Sequence, residues 1–393
     1  MQKKSSKCMI PLTSKKQGLE KSMKIVFITN DTRFAYNLRR EVMHAIVQKG
    51  HAVFLISERL GYEKEIEALG IRIIPLSNDR RGKNPISDVI LQRKYHAILK
   101  KLRPDFVLTN NIKPNVYAGL ACQALKIPYV PNVTGLGTPV EREGILQAFT
   151  IRMYRFGVRG SKAIFFQNQE NMDFFLKHKM MPHHSAPILL PGSGVNLQTH
   201  PLLEWPSDNG SDSDPRRMIR FLFAARIMKE KGIDLFLDVA KHFTALRSDV
   251  IFDVCGECDD AGYLSILQNL SNQGVIQYHG LQKDLTPFYQ RCSCFLYPSY
   301  YPEGMSNVLL EAAACGRPLI AADRSGCRET VDDGISGYVV PVNNGKAVID
   351  AVKRFLALTE SERKQMGIAG RKKMEKEYDR NLVVDTYLRV LEI

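Results

Sequence analysis

Short, nearly continuous apolar runs alternate along this chain with longer stretches whose apolar positions recur every three or four residues. The first run, KIVFIT (24–29), is rich in β-branched residues and predicts a strand. FAYNLRREVMHAIVQKG (34–50) has helical spacing and stops at Gly50. HAVFLIS (51–57) predicts a strand, EKEIEALG a helix ending at Gly70, IRIIPL a strand and DVILQRKYHAILKKLR a helix. PDFVLTN and IPYVPNV predict strands on either side of a helix, NVYAGLACQALK. Strands that are apolar throughout and alternate with helices imply a parallel, doubly wound sheet covered on both faces.

The pattern then repeats. IRFLFAAR (219–226), VIFDVCG, VIQYHG, SCFLYPS, PLIAAD and GYVVP predict strands. IDLFLDVAKHFTAL, YLSILQNLSNQ, LTPFYQRC and SNVLLEAAACG predict the helices between them. The polar stretch SDNGSDSDPRR (207–217) separates the halves and reads as a linker. The architecture expected is two Rossmann-like, doubly wound parallel-sheet domains facing an interdomain cleft. In such sheets ligands bind beyond the carboxyl ends of the strands. The expected divisions are a disordered basic tail (1–22), a first domain (23–200), a linker (201–218), a second domain (219–370) and a C-terminal helix (371–393) packing back toward the first domain.

Charge is uneven along the 393 residues. Residues 1–200 hold 31 Lys+Arg against 14 Asp+Glu, and residues 201–393 hold 24 against 27. A basic first half suits an anionic partner, nucleic acid or an acidic membrane surface. No nucleic-acid motif is present, which favours the membrane. Six of the positive charges lie in MQKKSSKCMIPLTSKKQGLEKS. That stretch lacks the apolar core of a secretory signal and reads as a tail, or as an upstream start before Met23. No run approaches the roughly 18 apolar residues of a spanning helix. The eight cysteines do not form a secreted disulfide pattern, so a reducing cytosol is expected. Cys255-x2-Cys258 and Cys292-x-Cys294 could suggest zinc, but Cys255 and Cys294 sit in strand-like runs, where buried free cysteine is common.

Two loops carry candidate chemistry. In AARIMKEKG, Arg226 ends a strand and Lys231 precedes a helix, an arrangement that suits a diphosphate. In EGMSNVLLE, Glu303 and Glu311 flank Gly304 and a helix start capped by Ser306. Unpaired N–H groups near Ser306 and Asn307, with the helix dipole, make an anion site. Gly304 admits a ligand close to the backbone. A carboxylate accepts two hydrogen bonds and matches the vicinal hydroxyls of a ribose.

Taken as a set, these segments resemble the retaining family 4 glycosyltransferases of the GT-B fold, over nearly the whole chain from Met23. AARIMKEKGIDLFLDVA resembles the family's basic-pair segment. YPEGMSNVLLEAAACGRPLIAADRSGCRETVDDGISGYVVP resembles its donor site, and LPGSGVNL (190–197) the strand that closes the first domain. The resemblance implies that Arg226 and Lys231 neutralise a leaving nucleoside diphosphate, so that no metal is needed. It implies that Glu311 binds ribose, that Glu303 with Gly304, Met305, Ser306, Asn307 and Val308 holds the donor sugar and phosphates, and that Leu281 lies near uracil. NVTGLGTPVEREGILQAFTIRMYRFGVRGSKAIFFQN (132–168) resembles members that extend undecaprenyl-diphosphate-linked saccharides, with Thr134 and Gly135 in the acceptor loop. Arg152, Arg155 and Arg159 alternate there with Phe149, Ile151, Met153, Tyr154 and Phe156, as in a basic amphipathic helix on a bilayer.

The chain departs from the family twice. Thr134 stands where many members have histidine, and TNDTRF (29–34) where many carry adjacent glycines. The expected activity is transfer of a hexose or N-acetylhexosamine from a UDP-sugar to a lipid-linked glycan at the inner face of an anionic membrane. Alanine at Glu311 or Lys231 is expected to lower transfer without unfolding the chain. A nucleotide-sugar epimerase is the alternative, and a non-enzymatic nucleic-acid or membrane binding module a remote one. A dinucleotide oxidoreductase is disfavoured because no G-x-G-x-x-G follows the first strand. A metal-dependent transferase is disfavoured because Asp212-x-Asp214 falls in the linker and Asp259-Asp260 in a loop.

Overall fold

The computed structural model describes residues 22–77, 85–137, 140, 143–206 and 218–393. Nearly all of the basic tail, and the polar linker stretch with Asp212-x-Asp214, lie outside the described residues.

The first sheet holds β1 (Lys24–Asp31), β2 (Ala52–Glu58), β3 (Arg72–Pro75), β4 (Phe106–Asn110), β5 (Tyr129–Val133), β6 (Ala163–Phe166) and β7 (Ala186–Leu189). Their order is β3-β2-β1-β4-β5-β6-β7, and each neighbouring pair is parallel. The order reverses between β1 and β4, which opens a crevice at their carboxyl ends. Burial on both faces explains the near-continuous apolar strands. Ile25 and Phe27 of β1 pack with Val42, Met43 and Ile46 of α1 (Thr32–Gln48). Their neighbours Val26 and Ile28 point the other way, onto Leu91, Tyr95 and Leu99 of α3 (Pro85–Leu102), beyond the short α2 (Glu63–Ala68). The helices α4 (Gly119–Leu125), α5 (Ile145–Val158) and α6 (Gln169–Lys177) complete this layer.

The second sheet repeats the plan with β8 (Ile219–Ala224), β9 (Val250–Cys255), β10 (Gln277–Tyr278), β11 (Cys294–Tyr297), β12 (Leu319–Ala322) and β13 (Gly337–Val340). Its order is β10-β9-β8-β11-β12-β13, again parallel, and it reverses between β8 and β11. Around it lie α7 (Ile233–Thr244), α8 (Ala261–Asn272), α9 (Thr286–Arg291), α10 (Asn307–Ala314), α11 (Gly345–Ala357) and α12 (Glu360–Glu377). The last helix, α13 (Arg380–Leu391), returns to the first domain. Its Val383, Val384, Tyr387 and Leu391 join the apolar layer between α1 and the first sheet. Asn132 donates to the Tyr387 hydroxyl at 2.7 Å, and Arg380 pairs with Glu41 at 2.9 Å.

Three expectations need correction. Residues 190–197 form a loop rather than a strand, because Gly192 and Gly194 take φ of +61° and +65°. The strand that closes the sheet is β7, an edge strand that tolerates Pro187. The stretch 115–126 is not one α-helix, since a π-helical turn (Pro114–Ala118) precedes α4. The C-terminal helix is two helices, broken at Tyr378 and restarted where Asp379 accepts from the Asn381 N–H at 2.9 Å.

Candidate active site

The carboxyl ends of both sheets face one cleft. A cavity of about 560 Å3 is lined by Asn30, at the carboxyl end of β1, and by Asn111, Thr134 and Gln167, which follow β4, β5 and β6. Across from them lie Arg226, after β8, and the segment Tyr301–Met305 with Asn307, after β11. A second cavity of about 720 Å3 continues past Asn196 and His200 to Gln282–Thr286 and Glu311. Phe34, Leu38, Arg226 and Asn307 line both, so the two form one trough. Glu303 lines the first cavity and Glu311 the second, which places one acid in each compartment.

Arg226 stands at their junction. It is exposed to the cleft and makes no hydrogen bond or ion pair with any described residue. Lys231 is placed differently. It ends a 3-10 turn (Lys229–Lys231), is 9 % exposed, and donates to Glu303 Oε1 at 2.5 Å. The Tyr297 hydroxyl donates to the same oxygen at 2.9 Å, and the Tyr301 ring lies 4.7 Å from the ammonium. Burial works against the charged form of Lys231. The Glu303 carboxylate, with Tyr297, more than offsets it and raises the lysine above its ordinary value. The basic pair of the sequence is therefore one open cation and one buried ion pair.

The segment that follows Glu303 is held against the first domain. A Cβ at Gly304 would stand 2.4 Å from the Thr134 carbonyl oxygen and 2.7 Å from Gln167 Oε1, so only glycine fits this approach. Gly135 meets the same segment from the other side, with a Cβ there reaching 3.2 Å from the Gly304 nitrogen. Met305 is buried against Gly192. Ser306 occupies the N-cap of α10 without capping it, and its hydroxyl and the Asn307 side-chain oxygen are buried without a hydrogen-bond partner among the described residues. The backbone N–H groups of Gly304, Met305, Asn307 and Val308 also donate to no described residue. Free donors at a helix start, beside Arg226, are the chemistry of an anion site.

In the other compartment Glu311 accepts from the Tyr289 hydroxyl at 3.0 Å, and His200 Nε2 lies 4.0 Å away. Burial and the neighbouring Glu311 raise the Tyr289 phenol, which stays a donor. Two expected contacts sit elsewhere. Leu281 is 57 % exposed and lies outside the lining, where the next five residues take the place expected of it. Val308 turns to the core of the second domain. Thr134 lines the first cavity and its hydroxyl is 3.4 Å from the Asn111 amide. The glycine-poor first loop is replaced by a direct strand-to-helix turn, in which Asp31 accepts from the Phe34 N–H at 2.7 Å. Among the described residues no group of three or more His, Cys, Asp or Glu is placed to hold a metal ion.

Sequence reading missed Asn30, Asn111, Gln167 and Ser193 in the cleft wall, and Tyr297, Tyr301 and Tyr289 beside the acids. A signal existed for the first three, since each is a polar residue at the carboxyl end of a parallel strand or immediately after it.

Residues 24–168 match the family described as glycosyl transferase 4-like, and residues 208–373 match glycosyl transferases group 1. The chain is a GT-B glycosyltransferase. Across 387 residues the transferase is 26 % identical to the N,N'-diacetylbacillosaminyl-diphospho-undecaprenol alpha-1,3-N-acetylgalactosaminyltransferase of Campylobacter jejuni, covering 94 % of this chain and 98 % of that one. It is 28 % identical over 167 residues to the capsular polysaccharide biosynthesis glycosyltransferase CapM of Staphylococcus aureus, covering 41 % of this chain and 42 % of that protein. Its fold matches HepE of Anabaena, solved with UDP and glucose, with a TM-score of 0.75 at 16 % identity, covering 94 % of this chain and 99 % of that one.

Proposed function

We propose that this transferase moves a hexose or N-acetylhexosamine from a UDP-sugar onto an undecaprenyl-diphosphate-linked saccharide, with retention at the anomeric carbon and without a metal ion, in surface polysaccharide assembly. The observation that carries the reading is Arg226, a cation with no partner among the described residues, where two cavities meet, one holding Glu303 and the other Glu311. The diphosphate lies against Arg226 and the free N–H groups at the start of α10. Glu311, oriented by Tyr289, takes the ribose hydroxyls. Glu303 and the backbone at 304–307 hold the sugar. Lys231 holds Glu303 in place through their ion pair and lends the site its remaining donors, since an ammonium has three. As the bond from the anomeric carbon to phosphate oxygen breaks, negative charge grows where these donors already point. The acceptor hydroxyl forms the new bond on the same face and passes its proton to the departing phosphate. The likeness to the Campylobacter enzyme across 98 % of its length supports a lipid-linked acceptor, and the UDP in the HepE complex supports the donor.

The test is a transfer assay with bacterial lipid extract, a panel of labelled UDP-sugars and EDTA. Label from one donor is expected in the lipid phase at a rate that EDTA leaves unchanged. Label that stays in water, with an epimerised UDP-sugar in the same tube, would make the protein an epimerase.

The acceptor reaches the cleft from a membrane surface in this proposal. No helix among the described residues is long and apolar enough to cross a membrane. On α5, however, Ile145, Leu146, Phe149 and Phe156 are exposed, and Ile145, Phe149 and Phe156 share a shallow groove with Arg152, Arg155 and Arg159. Ile151 and Tyr154 anchor the opposite face in the core. Apolar and cationic side chains thus share the exposed face, as an anionic bilayer surface requires. Flotation with phosphatidylglycerol vesicles is expected to carry the protein. Reversing Arg152 and Arg155 to Glu is expected to weaken this by about tenfold or more. Equal flotation with neutral vesicles would remove the electrostatic part of the proposal.

A further inference from the structure

Asn168 lies in the first domain, immediately after Gln167 at the end of β6, and is 3 % exposed. Its side chain is fully used. The carbonyl oxygen accepts from the Asn171 N–H at 2.8 Å and so caps α6. The amide nitrogen donates to two carbonyls of the second domain, Glu303 at 3.0 Å and Gly304 at 2.6 Å. An amide has only two hydrogens to give, so both bind the donor segment.

The geometry of the peptide bond gives this contact a consequence. In a trans peptide the C=O and the following N–H point in opposite directions. Holding the Glu303 and Gly304 carbonyls therefore sets the direction of the Gly304 and Met305 N–H groups. Those are two of the four N–H groups in this region that donate to no described residue. We propose that Asn168 is a positioning residue that couples the approach of the two domains to the geometry of the donor segment. With the domains together, its amide fixes two backbone donors. With the domains apart, both carbonyls lose their partner and the segment loses its alignment. This rests on the transferase reading of the cleft. The exposed pair Arg328–Glu170, at 3.4 Å, bridges the same faces but orients no backbone donor.

Two variants of the full chain test this. Asn168→Ser and Asn168→Asp both keep a good helix cap, so thermal stability is expected to hold. Neither offers the two amide hydrogens, and Asp sets a carboxylate against two carbonyls. The radius of gyration of Asn168→Asp in small-angle scattering is expected to exceed that of wild type, with and without UDP. Both variants are expected to lose about tenfold or more in kcat, the scale of two lost buried hydrogen bonds, while the Kd for UDP moves by less than about threefold. An unchanged radius in Asn168→Asp, or wild-type kcat in Asn168→Ser, overturns the proposal. So does UDP affinity that falls in step with kcat, since that marks a structural defect only. Scattering without UDP decides the role of Asn168 whatever the donor, whereas wild-type protein that fails to bind UDP overturns the donor reading instead.

Discussion

Arg226→Ala is expected to lower the transfer rate by about 100- to 1,000-fold while leaving the melting temperature in place. The rate effect follows from where the charge sits. Arg226 lines both compartments and has no partner among the described residues, so its guanidinium is available to a diphosphate that gains charge as it leaves. The absence of a stability effect has the same cause. An exposed side chain that pairs with nothing contributes within about 0.5 kcal/mol. Arg226→Lys separates charge from geometry: it keeps the cation and loses the planar fork, so its rate should fall between wild type and alanine. Steady-state rates beside thermal melts check this. A variant that loses activity only in proportion to its melting temperature would deny Arg226 a place on the diphosphate.

The fold was legible because its signal is long and redundant. β1 reads as a strand since Ile25, Val26, Phe27 and Ile28 are all buried, two toward each helical layer. Elements without that double burial were missed. β7 is an edge strand with three of its four residues exposed, and nothing in APIL alternates. The break between α12 and α13 was hidden because Tyr378 interrupts the helix without glycine or proline.

The candidate site was legible as a cluster of residues at one cleft, and less so in the partners that its side chains find. The acids at 303 and 311 were placed in separate compartments by the chain itself, through the turn and helix between them. What local sequence does not encode is which partner a side chain finds across the fold. Lys231 and Glu303 are 72 positions apart, and nothing near either one announces the other. Asn168 is 135 positions from the Glu303 carbonyl it holds. The wall residues Asn30, Asn111 and Gln167 were recoverable by one rule applied evenly. In a parallel sheet the polar residues at the carboxyl end of each strand or immediately after it line the crevice.

Lys231 is where burial changes the expected outcome most. Sequence reading expects alanine at Lys231 to reduce transfer without unfolding. The side chains of Lys231 and Glu303 are only 11 % and 14 % exposed, and they meet at 2.5 Å. Removing one member leaves the other buried and uncompensated, at a cost of about 3–5 kcal/mol. Glu303→Ala and Lys231→Ala are therefore both expected to lose stability as well as transfer, with a fall of about 6–20 °C in Tm. Lys231→Met combined with Glu303→Gln removes both charges at nearly constant volume, so stability is expected to recover most of that loss while transfer stays low. The pH dependence has a definite sign. The folded lysine is raised above its unfolded value, so the stability linked to its titration is fully present below the unfolded value of about 10.4 and is lost as pH rises through the folded value. Melting curves between neutral and mildly alkaline pH should thus show the same gap between wild type and Glu303→Ala. A double variant as unstable as the singles would mean that packing around Tyr297 and Tyr301, rather than the charge pair, holds this side of the cleft together.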